Sequence, residues 1–99
     1  MTYLVYQHTN TVNGKRYIGY SKETLEERLK GHVKRANLGS TYTFHQAIRK
    51  YGVDAFASEI LFYEETLKGA QETEILCILD RNPEYNMTFG GDGTHGYKY

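Results

Sequence analysis

The stretch YLVYQHTNTVNGKRYIGYS, residues 3–21, holds the pattern that decides the fold. Tyr6 stands near its start, and Tyr17 follows eleven positions later within a Tyr-Ile-Gly triplet. Between them lies Asn13-Gly14, a dipeptide typical of hairpin turns because both residues tolerate positive φ. The stretch therefore predicts two antiparallel strands with a tyrosine at a matched position on each arm.

The rest of the chain carries clear helix and strand signals. Thr24 and Glu27 have the spacing of a capping box, so a helix should begin there. Gly52 and Pro83 mark the ends of two later helices. We predict strands at residues 3–8, 16–20 and 56–63, helices at about 24–38, 42–51 and 67–80, and a short extended piece at 85–89. This order predicts an α+β domain with a small antiparallel sheet of three to four strands flanked by three helices.

Length and composition narrow the class of protein. The chain of 99 residues is large enough for one domain with a modest core. It has no run of about 18 apolar residues to span a membrane, and its start lacks the features of a secretory signal. Cys77 is the only cysteine, which excludes an intramolecular disulfide and suits a reducing cytoplasm.

The formal charge is zero overall but is divided along the chain. Residues 1–50 carry nine basic and three acidic side chains, a balance of +6, and residues 51–99 carry three and nine, a balance of −6. This division favours a basic face for a polyanion, and ordinary surface charge that interleaves on folding is the alternative. Candidate contacts to a DNA backbone are Lys15, Arg16, Lys22, Lys34, Arg35, His45 and Arg49. His45 is alternatively a surface or half-buried histidine of the second helix.

Arg28 and His32 are four residues apart, so they share one face of the first helix. That face borders the apolar stripe of Leu25, Leu29 and Val33, and both side chains are expected at the edge of the buried surface. A guanidinium suits a phosphate oxygen, and an imidazole accepts a proton near neutral pH. A coincidental pair on a solvated helix face is the alternative.

Glu74 has apolar neighbours one turn away on both sides, Ala70 before it and Cys77 and Ile78 after it. Its carboxylate is therefore aimed at or near the core, where an unpaired charge is costly. One carboxylate with water co-ligands is a plausible seat for Mg²⁺, and an ion pair with an arginine is the alternative. With the hairpin phenols, the guanidinium and the imidazole, it would form a site able to act on a phosphate ester.

Taken in order, these residues resemble the GIY-YIG nuclease family over almost the whole chain. The matching segments are Leu4-Val5-Tyr6, Tyr17-Ile18-Gly19, Arg28 with His32, Lys50-Tyr51-Gly52 with Phe56, Glu74, and Asn86. Leu4 stands where the family has its first glycine. The resemblance implies a metal-dependent DNA endonuclease that hydrolyses a phosphodiester with one bound Mg²⁺ or Mn²⁺.

The resemblance also implies a role for each residue. Tyr6 would help activate the attacking water and Tyr17 would orient the water or a phosphate oxygen, and these two roles can be exchanged. His32 would accept or relay the proton. Arg28 would contact the scissile phosphate, and Glu74 would hold the metal ion. Asn86 would hold the site together by side-chain hydrogen bonds.

The resemblance is greatest to phage and intron-encoded homing endonucleases, in which a linker and a separate DNA-binding region follow the catalytic domain. Residues 1–90 are then the nuclease-like domain, and the glycine-rich residues 91–99 are a tail or the start of a linker. The expected place of action is the cytoplasm of a bacterium or a phage-infected cell. The alternative function is a non-catalytic nucleic-acid-binding module on the same scaffold, with bases stacked on exposed tyrosines.

Overall fold

The computed structural model describes residues 2–87, which form a three-stranded antiparallel sheet with helices on both faces. In chain order the elements are strands β1 (Tyr3–Asn10) and β2 (Arg16–Ser21), helices α1 (Leu25–Asn37) and α2 (Thr43–Tyr51), strand β3 (Phe56–Glu64), and helices α3 (Leu67–Arg81) and α4 (Glu84–Met87). A 3₁₀ turn, Val53–Ala55, joins α2 to β3. The predicted α+β class is confirmed. No helix within residues 2–87 has both the length and the apolar content needed to cross a membrane.

The central strand is β1, since the strands lie in the order β2-β1-β3. Its register places Tyr6 opposite Gly19 and His8 opposite Tyr17. The two tyrosines are therefore diagonal neighbours on one face of the hairpin, and not the directly opposed pair that matched positions suggested. In the connection between the arms, Gly14 has a φ of +78°, which glycine adopts without steric cost.

Two apolar clusters cover the two faces of the sheet. On one face α1, α2 and α4 pack with β3 through Ala36, Phe44, Ala47, Ile48, Phe56 and Tyr85. On the other face α3 packs on the hairpin through Val5, Ile18, Cys77 and Ile78. Successive side chains of β1 point to opposite faces, so this strand is buried along most of its length.

Helix α1 begins as predicted but is buried differently. The Thr24 hydroxyl accepts a hydrogen bond from the amide of Glu27, and the Glu27 carboxylate accepts one from the amide of Thr24. The buried residues of the helix are His32 and Ala36. The predicted apolar stripe, Leu25, Leu29 and Val33, is only half-buried. The helix is thus rotated so that its histidine, and not its leucines, faces the sheet.

The extended piece predicted at residues 85–89 is wrong where the structure describes it, because Glu84–Met87 is a short helix. Asn82 ends α3 in the left-handed conformation, with φ at +47°. The chain then turns so that Tyr85 enters the core, and the Tyr85 hydroxyl accepts a hydrogen bond from Asn10 Nδ2 at 3.0 Å. The predicted tail at residues 91–99 lies outside the described residues.

Tyr6 lies across Gly19 so closely that no side chain fits at that position. A Cβ atom on Gly19 would stand 2.6 Å from the Tyr6 hydroxyl oxygen and 3.2 Å from Cε2 of Tyr17. Tyr6 has no exposed surface, so its ring has no room to swing into solvent. The glycine of the Tyr-Ile-Gly triplet is therefore required by the approach of the phenol.

We expect Gly19→Ala to destabilise the domain by about 1–3 kcal/mol, the usual cost of overpacking a tight core. Urea denaturation measures this change. Gly31→Ala is the matched control, because its Cβ would meet its nearest neighbour, Arg28 Nη1, at an ordinary 3.8 Å. Alanine in a helix interior is favoured over glycine by about 1 kcal/mol, so the control should gain stability. A Gly19→Ala variant as stable as the wild type would contradict this account.

Candidate active site

Tyr6 is the most deeply buried polar side chain of the site. Its hydroxyl is 2.9 Å from Nε2 of His32, which reaches it from α1. The Arg28 guanidinium and the Tyr17 hydroxyl lie close enough to the phenol to lower its pKa. Burial raises the pKa of Tyr6 to about 12, against the opposing effect of the Arg28 charge. The phenol therefore keeps its proton at neutral pH, and ionising it there would cost about 7 kcal/mol.

Tyr17 stands between this buried phenol and solvent. Its ring stacks on Phe44, with ring centroids 4.3 Å apart and an angle of 4° between the planes. The Tyr17 and His32 rings meet in an edge-to-face arrangement, with centroids 5.2 Å apart. The rings of Tyr6 and Tyr17 have centroids 6.3 Å apart. Tyr17 is half-buried and lines an open cleft. Of the two tyrosines, Tyr17 is thus the one that meets water directly.

The cleft runs along the outer edge of β2 and has a volume of about 440 Å³. Its lining residues are Tyr17, Gly19, Tyr20, Ser21, Lys22, Glu23, Arg28 and Glu74. Arg28 comes from α1 on one face of the sheet, and Glu74 comes from α3 on the other. The edge strand is therefore the place where a guanidinium and a carboxylate from opposite faces line one cleft.

Glu74 is half-buried and has no hydrogen bond or ion pair with any group in residues 2–87. Burial raises the pKa of its carboxyl group to about 7. An uncompensated carboxylate of this kind is stabilised by a cation, and the cleft leaves it open to one. Residues 2–87 contain no cluster of three His, Cys, Asp or Glu side chains that could hold a metal. The donor set thus fits a hard ion that keeps most of its waters, such as Mg²⁺, and does not fit zinc.

His32 and His45 correct two of the sequence predictions. His32 was expected at the edge of the buried surface, but only 2% of it is exposed because α1 turns it toward the sheet. His45 was a candidate DNA contact, and that prediction is wrong because His45 is also 2% exposed. Nδ1 of His32 is 2.9 Å from Nε2 of His45, whose Nδ1 is 2.7 Å from Oγ of Ser40. Burial, together with the charge of Arg28, lowers the pKa of His32 to about 2.

Asn86 connects α4 to the middle of the Tyr-Ile-Gly triplet. Its Oδ1 accepts a hydrogen bond from the Ile18 amide at 2.7 Å, and its Nδ2 donates one to the Ile18 carbonyl at 2.7 Å. Because β2 is an edge strand, this side chain takes the place of a neighbouring strand. Asn86 thereby fixes the backbone between Tyr17 and Gly19.

The candidate DNA contacts fall into two groups besides His45. One group, Lys15, Lys22, Lys34 and Arg35, is exposed, and Lys22 among them lines the cleft. The other group, the half-buried Arg16 and the exposed Arg49, forms hydrogen bonds within the protein. Arg16 donates to the backbone carbonyl of Arg81. Arg49 donates to the carbonyls of Ala36 and Ser40 at 2.7 and 2.8 Å, which ties α2 to the end of α1.

The sequence did not predict that His8 lies beside the buried phenol, or that His45 joins His32 to Ser40. His8 is fully buried two residues after Tyr6, and strand alternation could have placed it on the same face. Its Nδ1 is 2.7 Å from Ser58 Oγ, and its Nε2 has no partner within residues 2–87. His45 precedes Ile48 by three positions, so it borders the apolar face of α2.

Comparison with known proteins places the chain in a wider context. The family model described as the GIY-YIG catalytic domain matches residues 2–86. Two similar proteins of Enterobacteria phage T4 are segD and segE, which are 36% and 37% identical to this chain over 97 residues each. Both are named as endonucleases, an activity assigned to them by inference. These matches cover 94% of this chain but only 40% and 44% of the two relatives. The chain thus spans less than half the length of the curated relatives it matches.

Two solved structures are also similar. A mutant form of the catalytic domain of intron endonuclease I-TevI aligns with a TM-score of 0.71 at 30% identity, covering 83% of this chain and 86% of that domain. The catalytic domain described as that of homing endonuclease I-TevI aligns with a TM-score of 0.66 at 30% identity, covering 81% and 88%. The fold of this chain therefore has a precedent in a solved catalytic domain.

The buried histidines should make the domain sensitive to acid. Burial lowers the pKa of His8 and His45 to about 4 and that of His32 to about 2, so below pH 6.5 the unfolded chain binds protons that the folded chain does not. Lowering the pH from 7 to 5 therefore reduces the free energy of unfolding by about 2 kcal/mol for each histidine. Glu74 acts in the opposite direction, because its raised pKa lets the folded state bind a proton at a higher pH than the unfolded state. Over the same interval it increases the free energy of unfolding by about 2 kcal/mol.

We therefore expect a net loss of about 4 kcal/mol in the free energy of unfolding between pH 7 and pH 5, measured by urea denaturation. Glu74→Gln should lose about 6 kcal/mol over the same interval, because the offset is gone. Unchanged stability of the wild type at pH 5 would contradict the burial of neutral histidines.

Proposed function

The chain belongs to the GIY-YIG family of nuclease catalytic domains, and from that premise we propose that it hydrolyses phosphodiester bonds in DNA at the edge of β2. Nucleases of this family depend in general on a divalent metal ion. One observation carries the proposal: Arg28 and Glu74, from opposite faces of the sheet, line one cleft with Tyr17. A guanidinium, a carboxylate without a cation and a phenol can supply the charge stabilisation, the metal site and the proton transfer that assist phosphodiester hydrolysis.

Glu74 would hold the metal ion, and Mg²⁺ or Mn²⁺ suits its single carboxylate. When bound, the ion would stabilise the negative charge that develops on the leaving 3′ oxygen. The raised pKa of Glu74, caused by burial, supports this role because a cation would relieve the same penalty. The metal ion would bind the deprotonated carboxylate of Glu74. Its affinity for the site should therefore increase from pH 6 to pH 8.

Arg28 would contact the scissile phosphate. It is half-buried, it lines the cleft, and its forked donor set matches two phosphate oxygens. The contact with the Tyr6 phenol orients the guanidinium before a substrate arrives. Lys22, exposed on the same cleft, would add a less specific contact to the DNA backbone.

The attacking water would meet Tyr17 first, because Tyr17 lines the cleft and Tyr6 has no exposed surface. This favours the exchange of the two tyrosine roles that the sequence left open. Tyr17 would take up a proton from the water while giving its own to Tyr6, and Tyr6 would give its own to His32. Each phenol then passes a proton without becoming a free phenolate, which the pKa of about 12 at Tyr6 makes unfavourable. Asn86 would keep Tyr17 in place through the Ile18 backbone.

The similarity to phage T4 proteins supports the cytoplasm of a phage-infected bacterium as the place of action. The curated relatives are more than twice as long as the matched segment. In the full proteins, a further DNA-binding region would supply most of the affinity, which agrees with the zero formal charge of this chain.

The direct test is cleavage of supercoiled plasmid by the purified chain. We expect nicked or linear DNA with Mg²⁺, none with EDTA, and none with Arg28→Ala or Glu74→Ala at unchanged thermal stability. Glu72→Ala is the matched control, since Glu72 is an exposed carboxylate on the same helix, and it should cleave like the wild type. Cleavage by Glu74→Ala at the normal rate would refute its role as metal ligand. If the wild type leaves plasmid intact even when fused to a known DNA-binding domain, the non-catalytic module is the better description.

A second test follows metal binding without any DNA. Mg²⁺ should raise the melting temperature of the wild type, by the equivalent of about 2.7 kcal/mol when the free ion is a hundredfold above its Kd. Glu74→Gln should show no such rise, while Glu72→Gln should respond like the wild type. Scanning calorimetry at pH 8 with and without Mg²⁺ provides the measurement. An equal Mg²⁺ response in Glu74→Gln would place the metal elsewhere.

A further inference from the structure

A continuous row of hydrogen-bonded side chains leads from the buried phenol to the surface. Tyr6 Oη is 2.9 Å from His32 Nε2, His32 Nδ1 is 2.9 Å from His45 Nε2, and His45 Nδ1 is 2.7 Å from Ser40 Oγ. Both imidazoles are 2% exposed and Tyr6 is not exposed at all, whereas Ser40 is only half-buried. The row therefore begins in the core beside the cleft and ends where solvent can reach it.

The chemistry of neutral imidazole permits only two arrangements of this row. A neutral ring carries one N–H donor and one acceptor nitrogen, and here each ring uses both nitrogens. Either every hydrogen bond points outward, from Tyr6 through His32 and His45 to Ser40, or every one points inward. Transfer of one proton along the row converts the first arrangement into the second, with no ring left charged.

His32 is a poor place for a proton to stop. Burial lowers its pKa to about 2, and the charges of Arg28, His45, His8 and Arg35 act in the same direction. A long-lived imidazolium at His32 is therefore strongly disfavoured at neutral pH. When one proton reaches Nε2 of His32, the proton on Nδ1 must therefore leave in the same event. The group that accepts it is Nε2 of His45.

We infer that Tyr6, His32, His45 and Ser40 form a proton relay that carries the proton of the attacking water out of the site, with His45 and Ser40 as residues that act through His32. This inference rests on the proposed nuclease function. His45 and Ser40 are positioning residues in this scheme, because neither lines the cleft. The exit lies on the α1–α2 side of the domain, away from the cleft at the edge of β2.

The step balances as follows. The water loses a proton to Tyr17 as its oxygen forms a bond to phosphorus, and the O–H protons of Tyr17 and Tyr6 each move one place along. His32 gains a proton at Nε2 and loses one from Nδ1, and His45 does the same. Ser40 Oγ receives the last proton and gives its own to a solvent water. The bond between phosphorus and the leaving 3′ oxygen breaks, and that oxygen takes a proton from solvent. The row is then in its inward arrangement, and transfer of one solvent proton in the reverse direction, from Ser40 back to the cleft, restores the outward arrangement before the next turnover. Over the whole cycle the net change is hydrolysis.

Positive charge at the exit favours release of the proton. Burial and the charges of Arg35, Arg28 and Arg49 lower the pKa of His45 to about 4, so no proton is retained there. Arg49 also holds the Ser40 carbonyl at 2.8 Å, and the Ser40 amide donates to the Arg35 carbonyl at 3.1 Å. Backbone contacts therefore fix the hydroxyl that ends the row, even though it lies near the surface.

The test compares two substitutions of one residue in single-turnover cleavage of plasmid by the full chain with Mg²⁺. His45→Gln keeps a donor and an acceptor in place but cannot pass a proton, and His45→Ala leaves a space that imidazole can fill. We expect both variants to cleave at least about tenfold more slowly than the wild type. Added imidazole should restore His45→Ala, while acetamide, which forms hydrogen bonds without relaying protons, should not.

Controls separate this inference from the function on which it rests. Gln46→Ala, an exposed change on the same helix, should cleave at the wild-type rate, and imidazole should not accelerate the wild type. Cleavage by His45→Gln at the wild-type rate would overturn the relay. A slow cleavage rate of His45→Ala that added imidazole does not increase would overturn it too. If His45→Ala fails to fold, His45→Gln decides alone: a slow rate with an unchanged Mg²⁺ response in calorimetry supports the relay. A wild type that cuts no DNA, even fused to a DNA-binding domain, refutes the proposed function itself, and the relay with it.

Discussion

The site depends on the contact between the Tyr6 phenol and the backbone of Gly19. The absence of a side chain at Gly19 lets the ring pack against the edge strand, with its hydroxyl oxygen 2.6 Å from the position that a Cβ would occupy. That placement puts one oxygen within reach of Arg28, Tyr17 and His32 at once. The hairpin register, with Tyr6 opposite Gly19, is thus a condition for the chemistry as well as for the sheet.

Burial determines the charge states of the titratable groups in the site. Burial and Arg28 keep the histidines neutral, and the same burial leaves Glu74 without a compensating charge among the described residues. A metal ion at Glu74, as proposed, would bind only the deprotonated carboxylate, so a pKa of about 7 would make the ion and a proton compete near neutral pH. The guanidinium and the carboxylate reach the cleft from separate helices on opposite faces of the sheet.

Much of the fold could be predicted from local signals. The Asn13-Gly14 turn, the Thr24 capping box and the residues that end the helices act over a few positions, so they are visible in sequence. The burial of His32 and His45 was not predictable in this way. It depends on how α1 and α2 rotate against the sheet, and this packing overrode the apolar stripe along α1. The helix at α4 was missed because Tyr85 and the side chain of Asn86 gain their partners only in the folded domain.

The candidate site divides in the same manner. Residues with a family precedent, such as Arg28, Glu74 and Asn86, could be named from their order and spacing. The register of the hairpin tyrosines depends on how β1 pairs with β2, and the row through His45 to Ser40 depends on how α1 and α2 pack, so local sequence signals predicted neither. The most direct test of the account is nitrogen-15 NMR of the imidazole groups in the intact chain at pH 7 and pH 6. The account predicts neutral rings with single tautomers for His32 and His45 at both pH values, and a scalar coupling across the hydrogen bond between His32 Nδ1 and His45 Nε2. A charged His32 ring at pH 6, or no coupling between the two rings, would contradict it.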